Sequence, residues 1–276
     1  MRIRLRTWPD EADATFILPA GEVQIWRAAR PPASTASGEF DRFLSHDEWA
    51  RAARLLAPGK RHQFKHSHGL LRVLLGRYLN HSPGELRLAS HANGKPFLDA
   101  LHLPPIHFSL SHTEGLALFA FGTQCALGID VEAVADLPDC DALAALALSD
   151  REFFEFRALP TGMRPQAFLR YWTAKEACLK ALGRGLSLDP RRVELNTPSR
   201  PVGVASVTED DQDGRTEWQF RIFEPAPRFV ASVAWQQTTT DTTQSVMIGF
   251  ASPHKPTAPL KAVPGHRPGP QCLRVA

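Results

Sequence analysis

The stretch YWTAKEACLKALGRGLS, residues 171 to 187, constrains the fold more than any other part of the chain. At 100° per residue, Phe168, Trp172, Leu179 and Leu182 fall along one line, flanked by Tyr171 and Cys178, so the spacing predicts a helix with a buried face. Lys175 lands in the middle of that line. A lysine seldom enters a core unless its charge is paired or its stem is covered. Glu176 and Lys180 lie beside it, four apart, in the Glu-before-Lys order that a helix favours. Gly183 suits the position just past a helix C-terminus, and Lys180 suits the negative end of the helix dipole. Three charges on and beside a buried face ask for a ligand, a partner, or both.

With 276 residues the chain has room for one large domain or two modest ones, and 43% hydrophobic content supplies a core. A net charge of +3 falls short of a nucleic-acid-binding surface, so no nucleic acid is expected as partner. Cys125, Cys140, Cys178 and Cys272 follow neither metal nor disulfide spacing, which favours a reducing compartment. The start, MRIRLRTWPDEADATF, lacks an apolar signal region, and no run reaches the roughly 18 apolar residues of a membrane helix. A cytoplasmic protein without a membrane partner is expected.

Along the chain, VQIWRA (23–28) alternates as a strand, and SHDEWARAARLL reads as a helix with Ser45 and Glu48 in a capping box. A second helix covers about 61–79, with Phe64, Leu71, Leu74, Leu75 and Tyr78 on its inner side. HFSLSH and LALFAFG are strands joined by the turn HTEG, CALGIDVE is another strand, and CDALAALALS is a short helix. Ser149 and Glu152 repeat the capping-box pattern. GVASV, WQFRIFEP and RFVASVAW follow as strands, with Asp213-Gly214 as a hairpin signal between the first two. The first twenty residues carry no clear signal. From Ser252 the proline-rich chain has no hydrophobic period and is expected to be disordered. Strands and helices thus occur once before and once after about residue 123.

Several short motifs carry chemistry. In GIDVE the strand period of two puts Asp130 and Glu132 on one face and Ile129 and Val131 on the other. Such carboxylates repel unless a cation lies between them, and magnesium accepts one or two carboxylates together with phosphate oxygens. A merely solvated strand face is the plain alternative. Glu176 joins them only if its helix packs across that strand. In HFSLSH, Ser109 and Ser111 point one way and Phe108 and Leu110 the other, with His112 opening the turn; hydroxyl and imidazole both suit phosphate. Ser111 and His112 are adjacent on a strand, hence poorly placed to act as a nucleophile–base pair. NGKPF (93–97) offers a glycine turn and a cation, or simply a turn. His62, His66 and His68 lack a recognisable further zinc ligand. No GxxxxGK[ST] or GxGxxG loop is present.

The ordered set GKPF, FSLSH, GIDVE and WTAKEACLKALGRGLS closely resembles the Sfp-type 4′-phosphopantetheinyl transferases. The similarity runs from about residue 23 to 250. It implies an α/β (α+β) fold of two similar halves related by a pseudo-twofold axis, each a small, mainly antiparallel sheet packed with helices. The division expected is 1–122, 123–251 with the metal site, and a disordered tail 252–276. It implies a monomer that transfers phosphopantetheine from coenzyme A to a serine of an acyl, peptidyl or aryl carrier protein. Adenosine 3′,5′-bisphosphate would be the other product and Mg2+ the metal.

By motif, Asp130, Glu132 and Glu176 match the metal carboxylates, and Lys180 the lysine on the coenzyme's phosphates. Gly94, Lys95 and Pro96 match the loop beside the adenine, and Ser111 and His112 the phosphate-binding pair. Lys175 precedes the metal-binding glutamate as the family lysine does, which places it, with Glu176 and Lys180, among the catalytic candidates. Where the family often has an arginine for the 3′-phosphate, this chain has His68; the contact falls to His68 or moves to Arg51, Lys60 or Arg61. A non-catalytic coenzyme A or carrier-binding module is the rival, and a metal-dependent phosphohydrolase a weaker one.

Overall fold

Each central strand of this protein buries both of its faces, so its sheets need cover on both sides. The computed structural model describes residues 1–10, 16–29, 38–91, 94–99, 104–196, 200–209 and 215–236. The proline-rich tail and the Asp213-Gly214 turn expected from the sequence lie outside these residues. In chain order the strands are β1 (Arg2–Trp8), β2 (Glu22–Ala29), β3 (Leu88–Ser90), β4 (Pro96–Leu98), β5 (His107–Thr113), β6 (Leu116–Gly122), β7 (Leu127–Ala133), β8 (Val193–Leu195), β9 (Val202–Thr208), β10 (Arg215–Phe223) and β11 (Phe229–Gln236). The helices are α1 (His46–Ala53), α2 (Pro58–Leu79), α3 (Cys140–Ala147), α4 (Asp150–Arg157) and α5 (Arg164–Leu182). This is a mixed α+β architecture.

One sheet has the order β1-β2-β6-β5, the other β7-β11-β10-β9-β8, and β3 with β4 forms a small ribbon. The second sheet is antiparallel throughout. The first carries a parallel pair, β1 with β2, in register from Arg2 opposite Glu22 to Trp8 opposite Ala28. β1 is the strand that the sequence does not announce. Its three arginines, Arg2, Arg4 and Arg6, fall on one face and obscure Ile3 and Leu5 on the other. β5 also runs one step further than expected: His112 pairs with Ala117 inside the ladder, and the turn is Glu114-Gly115, with Gly115 at φ 83.

Alternation along the strands sorts side chains into three cores. Val23, Ile25, Leu118, Ala120, Ile129, Val131, Ala231 and Val233 pack the two sheets against each other. Trp26, Phe119 and Phe121 face away from that layer and receive Leu70, Leu71, Leu74 and Leu75 of α2. On the far side of the second sheet, Phe220, Ile222 and Ala234 receive Ala174, Ala177, Cys178 and Leu179 of α5. The edge strands β5 and β7 meet where the sheets adjoin. There the Ile129 backbone N–H donates to Ser109 Oγ at 3.1 Å.

α5 lies unusually close to β7, and Gly128 is the reason. A Cβ at that position would stand 2.0 Å from the Ala177 carbonyl oxygen and 2.4 Å from the Ala181 nitrogen. Because both neighbours are helix backbone, nothing nearby can rotate away. Gly128→Ala should therefore push α5 off the sheet and destabilise the protein by about 3 kcal/mol, the upper end for overpacking. Chemical-denaturation midpoints of both proteins check this; an unchanged midpoint would show that the helix rides further from β7.

Candidate active site

The close approach at Gly128 carries the next even residue of β7, Asp130, under the face of α5 that presents Glu176 and Lys180. Lys180 Nζ donates to Asp130 Oδ1 at 2.7 Å and to Ser111 Oγ at 3.0 Å, while Ser111 Oγ donates to the same carboxylate oxygen at 2.8 Å. Three elements, β5, β7 and α5, thus converge on one oxygen. The other Asp130 oxygen, Oδ2, and Glu176 Oε1 are buried without hydrogen-bond partners. Leaving buried carboxylate oxygens unsatisfied is costly, and both would accept a donor or a cation.

The electrostatics agree. Burial, and then the charge of Asp130, lift the Glu176 carboxyl to about 7 against the pull of Lys180. Burial and Asp130 raise Glu132 as well, opposed by Lys180 and by a hydrogen bond from Trp172. Burial first, and the Asp130 charge second, thus favour the protonated forms of Glu176 and Glu132. Asp130, Glu132 and Glu176 do not yet form a closed ligand cage; among the described residues no group of three ligating side chains is placed to grip one ion.

A cleft of about 250 Å3 opens beside these groups, lined by Glu176 and Lys180, by Gly94, Lys95 and Pro96, by Arg51 and His68, and by Gly183 and Gly185. The ribbon β3–β4 shapes one wall. Its turn closes through Gly94 N–H to the His91 carbonyl at 2.8 Å, with Gly94 at φ 80, a conformation that only glycine adopts cheaply. Lys95 then reaches across to the carbonyls of Leu127 and Ala181, at 3.1 and 3.3 Å, and burial lowers its ammonium to about 8. Arg51 stays exposed at the mouth, over the Phe64 ring and 3.4 Å from the Gly94 carbonyl.

His68 is oriented by a carboxylate that the sequence marks only as a helix cap. Glu48 closes the capping box of α1 with Ser45, and it also takes His68 Nδ1 at 3.2 Å and Arg72 Nε at 2.6 Å. Burial alone would raise the Glu48 carboxyl; the bonds from His68 and Ser45 and the charge of Arg72 outweigh it and hold it at about 2. Phe64 stacks on the imidazole at 3.9 Å between ring centroids. Ser109 is a further cleft residue absent from the expected set, although its place on the Ser111 face is legible in the strand period.

One expected residue, Lys175, is not brought in. Lys175 is wholly buried in the core beneath α5, with its ammonium 2.6 Å from Glu152 and bonded to the carbonyls of Pro190 and Val193. It points away from the cleft, so it does not add charge beside Glu176; the broken apolar stripe is an internal ion pair. His112, by strand alternation, faces opposite to Ser111, on the side of Phe108 and Leu110. His62 and His66 stand with ring centroids 6.3 Å apart, and among the described residues no third ligating side chain joins them.

Comparison with known proteins bears on this site. Residues 126–234 match the model of the 4′-phosphopantetheinyl transferase superfamily. The chain is 33% identical over 231 residues to the 4′-phosphopantetheinyl transferase HetI of a Nostoc species, covering 83% of this chain and 93% of that one. It is 31% identical over 161 residues to the 4′-phosphopantetheinyl transferase Sfp of Bacillus subtilis, covering 54% and 70%. A transferase of Paxillus involutus, pptA, is 32% identical over 174 residues, covering 57% and 64%.

The raised Glu176 carboxyl has a signature in the metal-free protein. A carboxyl with an ordinary value of 4.5 and a folded value of about 7 binds its proton more tightly when folded. Its stabilising protonation is complete below 4.5 and is lost as pH rises towards 7. At 1.36 kcal/mol per unit the loss is roughly 3 kcal/mol. In chelator, wild type should lose this much more stability between pH 5 and pH 8 than Glu176→Gln. Equal slopes in denaturant titrations of the two proteins would place the titrating group elsewhere.

Proposed function

We infer the reaction from the premise that this chain belongs to the 4′-phosphopantetheinyl transferase superfamily: it moves the phosphopantetheine arm of coenzyme A onto the serine hydroxyl of an apo carrier protein, with adenosine 3′,5′-bisphosphate as the second product. The observation that carries this reading is the convergence of Asp130, Glu176, Lys180 and Ser111 at the inner end of a cleft with cationic walls. Acyl, peptidyl and aryl carriers all present the required serine, and a monomer in the cytoplasm is the simplest setting.

In the proposed step the serine oxygen bonds to the phosphorus on the pantetheine side of the pyrophosphate. The bond from that phosphorus to the bridging oxygen breaks, and the electron pair leaves with the adenosine-side phosphate. Glu176, at the inner end of the cleft, would accept the serine proton. Lys180 can exchange its bond to Asp130 for one to the leaving phosphate and neutralise charge there. Lys95, Arg51 and His68 line the path towards the adenosine end. Ser111 orients Asp130, and His112 would act from the opposite face of the same strand.

The residues also fit Mg2+. Their donors are hard oxygens, and the two buried oxygens without partners, on Asp130 and Glu176, are where it would be held, with Glu132 supplying a third from the same strand face. When bound it would neutralise pyrophosphate charge.

Intact-mass measurement of an apo carrier incubated with coenzyme A and magnesium tests the reading; a gain of one phosphopantetheine arm is expected. Asp130→Asn should slow transfer on the order of a hundredfold or more while leaving the melting temperature close to wild type. Turnover near the wild-type rate would remove Asp130 from the chemistry. Arg51→Ala should weaken coenzyme A binding by about tenfold, the lower end for a charge-assisted contact at an exposed site. Isothermal titration reads this directly, and unchanged affinity would leave the mouth to other cations.

A further inference from the structure

We propose that Lys175 is a positioning residue: its buried ion pair with Glu152 holds shut the chain segment that forms one wall of the cleft. The segment runs from the end of α5 to β8, and its Gly183 and Gly185 line the cleft. One end is fastened at the α5 C-terminus, where Gly183, at φ 73, donates to Lys180 O and Arg184 N–H donates to Leu179 O. From there the chain doubles back along the helix by about two turns. Its other end is fastened by Lys175.

The fastening is complete in its hydrogen-bond accounting. An ammonium has three protons, and Lys175 Nζ has three acceptors: Glu152 Oε2 at 2.6 Å, the Pro190 carbonyl at 3.0 Å and the Val193 carbonyl at 2.5 Å. Glu152 in turn accepts from Leu195 N–H through Oε1 and from Ser149 N–H through Oε2, each at 2.8 Å. Both side chains have no exposed surface. Lys175 therefore grips the last residues of the segment, and Glu152 grips both Lys175 and the strand that follows.

Stability alone is a poor reason for such a pair, because hydrophobic replacements of buried ion pairs are often neutral or stabilising. What apolar residues cannot do is bond the Pro190 and Val193 carbonyls, which bracket the turn leading into β8, at fixed places. The charges that set the Glu176 carboxyl are Asp130, Lys180 and Glu132. Lys175 thus acts on the site through the backbone it holds and not through its field.

The test compares wild type with Lys175→Met and with Lys175→Met/Glu152→Gln. The double variant removes both charges together and keeps one acceptor oxygen at position 152, for Ser149 or for Leu195, so it carries the test if the single variant does not fold. In folded protein, amide exchange across residues 183–188 should speed up at least tenfold while β2 and α2 keep their protection. The KM for coenzyme A should rise about tenfold with kcat within about threefold of wild type. This kinetic arm rests on the proposed function of the cleft; the exchange arm does not. A fall in apparent kcat with unchanged KM and unchanged exchange at 183–188 would reduce the pair to core stability and overturn the proposal. If wild type does not use coenzyme A, the proposed function fails, and exchange at 183–188 alone decides the role of Lys175.

Discussion

The contact on which the rest of the site depends is the one between the backbone of α5 and Gly128 of β7. Only a residue without a side chain lets a helix come this near to a strand. The consequence reaches further along β7, where Asp130 meets Lys180 at 2.7 Å, and across to β5, where Ser111 joins them. A helix displaced by the width of a methyl group would carry Lys180 away from Asp130 and Ser111 and break the convergence on that one carboxylate oxygen. Packing and chemistry are set by the same atom count.

Once α5 is that close, every side of it is committed. The face carrying Glu176 and Lys180 looks at β7 and the cleft. Thr173, on the same side, bonds Ser232 of β11 at 2.8 Å and extends the docking along the sheet. The face carrying Lys175 and Leu179 looks into the apolar core, where the Lys175 ammonium finds Glu152. Two neighbouring charges in the sequence thus part company, one turned towards the cleft, the other inward.

The two capping boxes show how a local motif hides a tertiary one. Glu48 and Glu152 each occupy the third position of a helix and each satisfy the N-cap residue behind them. Both also bond beyond their own helix, since Glu48 holds Arg72 and His68, and Glu152 holds Lys175 and the Leu195 backbone. A carboxylate has four lone-pair sites, and a cap uses one or two. In both cases a charged helix start is tied to a buried cation from another helix. Formation of α1 is coupled in this way to the orientation of a cleft histidine, and formation of α4 to the seating of α5.

Much of the site was legible in the residues themselves. Alternation alone placed Asp130 and Glu132 opposite Ile129 and Val131, placed Ser109 and Ser111 together, and turned His112 away from them. The helical period placed Glu176 with Lys180, and the motif order pointed to the family. Periodicity assigns a face but not what lies across from it. For that reason Lys175 read as a site residue when it is an internal one, Glu48 and Glu152 read as caps only, and β1 did not read as a strand at all. Those outcomes required knowing which face of α5 met Gly128, which carboxylate lay within reach of each cation, and which strand lay beside the arginines of β1. Each is a distance between residues far apart in the chain. Local sequence sets the direction in which a side chain leaves the backbone, and only the packed structure sets what it reaches.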